Sequence, residues 1–105
     1  MRSRNLLADL PPPAADEHFE TLFADPHLRI ERIVSHGHAS PPGFWYEQAG
    51  DEWVMLVQGS AELEFDDGRR QPLGPGDWLL IPAGCRHRVA ATGPTTVWLA
   101  VHARR

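Results

Sequence analysis

From Leu28 onward the chain breaks into short runs rich in β-branched and aromatic residues, each closed by a turn signal. The runs are Leu28 to Ser35, Gly43 to Gln48, Glu52 to Gln58, Ala61 to Phe65, Trp78 to Ile81, His87 to Ala91 and Thr95 to His102. Between them stand Gly37, Pro41-Pro42-Gly43, Ala49-Gly50-Asp51, Gln58-Gly59-Ser60, Asp66-Asp67-Gly68, Gly74-Pro75-Gly76 and Gly93-Pro94. Many short strands at this spacing predict an all-β sandwich or barrel. In Ala61 to Phe65 the apolar residues alternate with Glu62 and Glu64, the pattern of a strand with one wet face. Trp53 to Val57, Trp78 to Ile81 and Val97 to Val101 are apolar on both faces, so their outer side must be covered. An N-terminal arm can cover part of it and a second copy of the chain the rest, which makes a homodimer the expected assembly.

Residues 1–105 suffice for one domain with one core. Met1 to Ala15 reads as an arm that lays Leu6, Leu7 and Leu10 on the barrel and turns at Pro11-Pro12-Pro13. Asp16 is a candidate N-cap, and Phe19, Leu22 and Phe23 recur at helical spacing. A short helix from about Asp16 to Ala24 is therefore expected, ended by Asp25-Pro26. This divides the chain into arm and helix over 1–27 and barrel over 28–102. With 42% hydrophobic and 23% charged residues the composition is that of an ordinary globular protein. A net charge of -4 and scattered basic residues give no footprint for nucleic acid. No apolar run is long enough to span a membrane and no signal-peptide pattern opens the chain, so a cytoplasmic location is expected. Cys85 is the only cysteine and cannot form an internal disulfide.

Two spaced segments carry more specific information. In the first, Tyr46-Glu47-Gln48 is followed after three residues by Glu52 and after six more by Gly59. In the second, Gly76 precedes Pro82 by five residues, and Gly84 and His87 follow. Both resemble the two motifs of the cupins, a family of small jelly-roll, or double-stranded β-helix, barrels, over roughly Ile30 to His102. The family's first motif has a His-x-His pair where this chain has Tyr46 and Gln48. Its second ends in an asparagine where this chain has Ala91. The resemblance implies a jelly-roll barrel with a small-molecule site inside it, in the subset of small cupins that lack the histidine pair.

Period two along a strand sets Tyr46 with Gln48 and Glu52 with Val54 and Leu56, and the resemblance brings His87 to them. A phenol, an amide, a carboxylate and an imidazole would then converge in an apolar-walled pocket. Gln48, Glu52 and His87 are the candidate ligands of a divalent metal ion, with Tyr46 and Glu52 as the groups that move protons. The expected function is a metal-dependent oxygenase, isomerase or lyase acting on a small organic molecule. Alternatives are a metal-free, epimerase-like enzyme that uses Tyr46 and His87 as its acid and base, and a module that binds or senses a small ligand without chemistry. A buried Glu52 paired with His87 or hydrogen-bonded to Tyr46 would satisfy the polar-group rule without any function, but the motif positions of Glu52 and His87 favour the functional reading. His36 and His38 read as a solvated loop pair, His102 as a residue near the outer surface or chain end, and Cys85 as a packed small residue.

Overall fold

Strand pairing, rather than local helical preference, organises this chain from His18 to Ala103. The computed structural model describes residues 1–104. Among them lie β1 (His18–Ala24), β2 (Leu28–Ser35), β3 (Asp51–Gln58), β4 (Ala61–Phe65), β5 (Arg70–Leu73), β6 (Trp78–Ile81), β7 (His87–Thr92) and β8 (Thr96–Ala103), with no helix. A five-stranded sheet runs in the order β1-β2-β8-β3-β6 and a three-stranded sheet in the order β5-β4-β7, every pairing antiparallel. This is the expected jelly-roll.

The expected helix over Asp16 to Ala24 is instead an extended arm end and strand β1. Phe19, Leu22 and Phe23 do have helical spacing, but a helix this short is marginal by itself. The β2 ladder offers each residue a partner, from His18 opposite Val34 to Ala24 opposite Arg29. A register shift between Thr21 and Phe23 absorbs the one residue that breaks the period-two pattern. Gly43 to Gln48, expected as a strand, contributes only the single bridge of Tyr46 to His87. The proline-rich stretch before it leaves the segment without a ladder. Conversely, β5 carries no strand signature in the sequence, because Arg70 and Gln71 are polar and Pro72 follows them, leaving Leu73 alone as an apolar residue. Arg70, Gln71 and Pro72 are all exposed, and proline is tolerated because β5 is an edge strand.

Inward residues of both sheets form one core of Val54, Leu56, Ala61, Leu63, Phe65, Leu73, Ile81, Trp98 and Ala100. The outer faces differ. On the small sheet Arg70 pairs with Glu62 and Glu64, and Arg88 with Glu64. On the large sheet the outward positions of β3, β6 and β8 are apolar, with Trp78 and Leu80 58% and 56% exposed and Trp53 stacked obliquely on Trp78.

The arm covers the other end of that outer face. Buried Arg32 donates from Nη1 to the carbonyls of Leu6 at 3.0 Å and Ala8 at 2.8 Å, and its Nη2 pairs with Glu20 at 2.8 Å. His36 and His38 are not a solvated pair. Their Nε2 atoms meet the carbonyls of Pro11 at 3.0 Å and Ala14 at 2.8 Å, so both imidazoles pin the arm.

Candidate functional site

Most polar groups of the site arise from two adjacent rows across three neighbouring strands. Glu31 on β2, His102 on β8 and Glu52 on β3 all take inward positions. Arg29 lies opposite His102 across the β2–β8 ladder, and Glu52 lies opposite His102 across the β3–β8 ladder. One step deeper the same strands carry Glu31, Ala100 and Val54, and the step after that Ile33, Trp98 and Leu56, so the barrel changes from polar at one end to apolar in its middle. A cavity of about 220 Å³ occupies this end, with Ile33, Val54, Leu63, Ile81, Val89 and Trp98 as its apolar walls.

His87 enters from the opposite sheet. The turn at Pro82 to Gly84 is tied to the loop before β3: Gly84 N–H donates to the Gln48 carbonyl at 2.8 Å and Ala83 N–H to Asp51 Oδ1 at 2.9 Å. The next residues exchange both backbone hydrogen bonds between Tyr46 and His87, at 2.7 and 3.1 Å. Their rings therefore stack, with centroids 5.6 Å apart. His87 Nδ1 donates to the Cys85 carbonyl at 3.0 Å, which turns Nε2 toward Glu52 Oε1 at 3.4 Å. That separation makes an ion pair but no formed hydrogen bond, and Glu52 Oε1 is buried without a hydrogen-bond partner.

Burial works against the imidazolium of His87. The Glu52 carboxylate and the Cys85 carbonyl more than offset it, so the imidazole titrates above its ordinary value. Tyr46 is also held above its ordinary value, by burial and then by the charges of Glu17, Glu52 and Glu31. Its phenol accordingly serves as a neutral hydroxyl donor.

All four expected residues, Tyr46, Gln48, Glu52 and His87, thus line one cavity. Glu17, Arg29, Glu31 and His102 line it too and were not expected there. His102 does not sit at the outer surface. Its Nε2 donates to Glu31 Oε1 at 2.8 Å, and its Nδ1 meets the Gln48 amide oxygen at 3.1 Å. Parity already pairs His102 with inward Trp98, which is the signal that could have placed it inside the barrel. Glu17 reaches the cavity from the arm, where Ser35 Oγ donates to its Oε2. No local pattern announces that.

The fit to a divalent cation rests on the Glu52 and His87 atoms. Two ligands about 2.1 Å from one ion and roughly 110° apart lie about 3.4 Å from each other, which is the observed 3.4 Å spacing. Gln48 is the next donor, but its oxygen is engaged by His102. Among the described residues no group of three or more His, Cys, Asp and Glu side chains is arranged to hold a metal ion.

Comparison with known proteins agrees with this architecture. A crystal structure from Ralstonia eutropha JMP134, named "putative mannose-6-phosphate isomerase", is 52% identical with a TM-score of 0.94 and full coverage of both chains, 100% and 100%. A cupin superfamily protein from Desulfitobacterium hafniense DCB-2 shares the fold at 20% identity and a TM-score of 0.83, covering 100% of this chain and 94% of that one. An RmlC-like cupin from Methanocaldococcus jannaschii, described as a double-stranded β-helix, does so at 16% identity and a TM-score of 0.71, covering 91% and 87%. Curated proteins gave no match. The cupin domain family matches residues 31–102, the stretch that holds both motifs and every residue lining the cavity except Glu17, Phe19 and Arg29, and the chain belongs to the cupin family.

Proposed function

We propose that this cupin moves a proton between adjacent carbons of a small hydroxy-carbonyl compound, an isomerisation of the aldose–ketose type. The observation that carries the reading is the buried, unpartnered Glu52 oxygen facing His87, whose imidazole titrates above its ordinary value, at 3.4 Å on the wall of the cavity. A bound carbonyl oxygen would accept hydrogen bonds from His87 Nε2–H and the Tyr46 hydroxyl. Glu52 takes the proton from the carbon next to the carbonyl, and the freed electron pair forms a carbon–carbon double bond. The carbonyl π electrons move to oxygen, which takes the His87 proton, giving an enediol. Collapse in the other direction returns the Glu52 proton to the former carbonyl carbon, while the neighbouring hydroxyl passes its proton to His87. The 52% identical relative's name, that of a sugar-phosphate isomerase, supports the same reaction class.

A second reading is favoured by the spacing of Glu52 and His87. These two would hold a divalent metal, with Gln48 as third donor once it releases His102. Such an ion would act as a Lewis acid on the substrate oxygen.

The test is proton exchange in D₂O. Mannose, mannose 6-phosphate and short hydroxy-aldehydes are incubated with the protein, and loss of the C2 proton and appearance of ketose are followed by ¹H NMR. Both should occur, and fall at least about 100-fold in Glu52→Gln and His87→Gln. Absence of exchange and of ketose, together with ligand-induced thermal stabilisation, would replace the enzyme reading by a binding module. Metal analysis of the purified wild type beside Glu52→Ala and His87→Ala decides the second reading.

A further inference from the structure

We propose that the groove outside the cavity mouth is a seat for the phosphate of a phosphorylated substrate, held by Arg29 and Arg104. The inference rests on the proton-transfer reading for what occupies the inner cavity. The groove is lined by Arg29, Arg104, His102, Gln48 and the loop Ala49 to Asp51. Arg29, Gln48 and His102 also line the inner cavity, so the two spaces adjoin and one molecule can occupy both.

Charge decides which end of such a molecule goes where. The inner cavity presents the carboxylates of Glu17, Glu31 and Glu52, which would repel a phosphate dianion. Arg29 faces both spaces, and its partner, Glu31, is reached only by Nε at 3.7 Å, from a guanidinium side chain 46% exposed. Arg104 uses its backbone N–H to bond the His27 carbonyl at 2.9 Å, and its side chain has no partner among the described residues. The groove's carboxylate, Asp51, accepts from Ala83 N–H through Oδ1. Two guanidiniums on the wall of one groove match a phosphate monoester, for which arginine geometry is well suited.

The floor of the groove is built closely. A Cβ on Gly50 would lie 2.1 Å from the Ala103 carbonyl oxygen, so only glycine lets the loop approach the end of β8 that leads into Arg104. The reactive carbonyl end would lie inside at Glu52 and His87, with the phosphate outside on the two arginines.

The probe is inorganic phosphate, titrated into ¹⁵N-labelled protein against sodium chloride of equal ionic strength. Saturable shifts are expected at the Nε–H signals of Arg29 and Arg104 and at the Gly50 amide. They should weaken at least tenfold in Arg29→Gln/Arg104→Gln. Arg104→Gln alone, an exposed change without packing consequences, should weaken them in part. In the exchange assay the preference for mannose 6-phosphate over mannose in kcat/KM should fall in the same variants. Equal shifts at Arg69 and Arg86, shifts reproduced by chloride, or unchanged affinity in the double variant would overturn the assignment. Phosphate seated on the arginines without exchange on any substrate leaves this site standing and removes the isomerase reading. Exchange without phosphate shifts does the reverse.

Discussion

Replacing the Glu52 and His87 pair by apolar residues should make the protein more stable while removing the proposed proton transfer. The pair is buried, at 8% and 5% exposure, and its contact of 3.4 Å leaves Glu52 Oε1 with no hydrogen bond. An unsatisfied buried polar atom costs about 1–3 kcal/mol, and exchanging a buried ion pair for well-packed apolar side chains is often neutral or stabilising by about 1–4 kcal/mol. Glu52→Met/His87→Phe keeps similar volumes beside the cavity and should gain about 1–3 kcal/mol, with each kcal/mol worth roughly 4–8 °C in a domain of this size. Because His87 titrates above its ordinary value, its charged form adds stability to the wild type that is complete below about pH 6.5 and is lost as pH rises through the folded value. The advantage of the double variant should therefore be smaller at low pH and grow toward alkaline pH. Urea unfolding followed by circular dichroism at several pH values measures both. A folded double variant that is less stable than wild type at alkaline pH would refute the argument, because the pair would then be structural rather than a cost carried for function.

The remaining predictions concern other parts of the molecule. The rate of C2 proton exchange should fall as pH rises through the raised pKa of His87, and Glu52→Gln should move that fall to lower pH in whatever activity survives, measured as a pH–rate profile. Arg32→Met removes two charge-assisted hydrogen bonds to the arm, so it should cost roughly 1.5–3 kcal/mol or more and release amide protection around Ala8 in hydrogen exchange. Gly59 has φ of +92° and a Cβ there would lie 2.6 Å from the Thr95 carbonyl, so Gly59→Ala should lower stability by more than about 1–2 kcal/mol in chemical denaturation. Exposed Trp78 and Leu80 beside Trp53 predict a homodimer by light scattering, and Trp78→Lys/Leu80→Lys should give the 11.7 kDa monomer.

Much of the fold was legible because it is written in local chemistry. Glycines and prolines end the strands, and the alternation in Ala61 to Phe65 sets which side faces the core. The two spaced segments give the barrel, since Gly59 needs a left-handed backbone and Pro82 to Gly84 turns the chain into β7. Tyr46, Gln48, Glu52 and His87 could be named from the same segments. The expected N-terminal helix fails for a reason that local patterns do not carry: three apolar residues at helical spacing do not reveal that β2 has a free edge waiting for them.

The sequence by itself determined the strands from β2 to β8 other than β5, the turns between them, the parity of Ala61 to Phe65 and the two motif residues Glu52 and His87, because each depends on neighbours within a few positions. Tertiary structure alone decided the rest of the site. Glu31 and His102 are 71 positions apart and meet at 2.8 Å only because β2 and β8 are paired, and Glu17 enters the cavity only because Arg32, His36 and His38 bind the arm. The same long-range pairing decided that Glu52 lies beside an imidazole without reaching hydrogen-bond contact. Sheet register sets such distances, and register emerges from the sum of ladder bonds and core packing over the whole barrel.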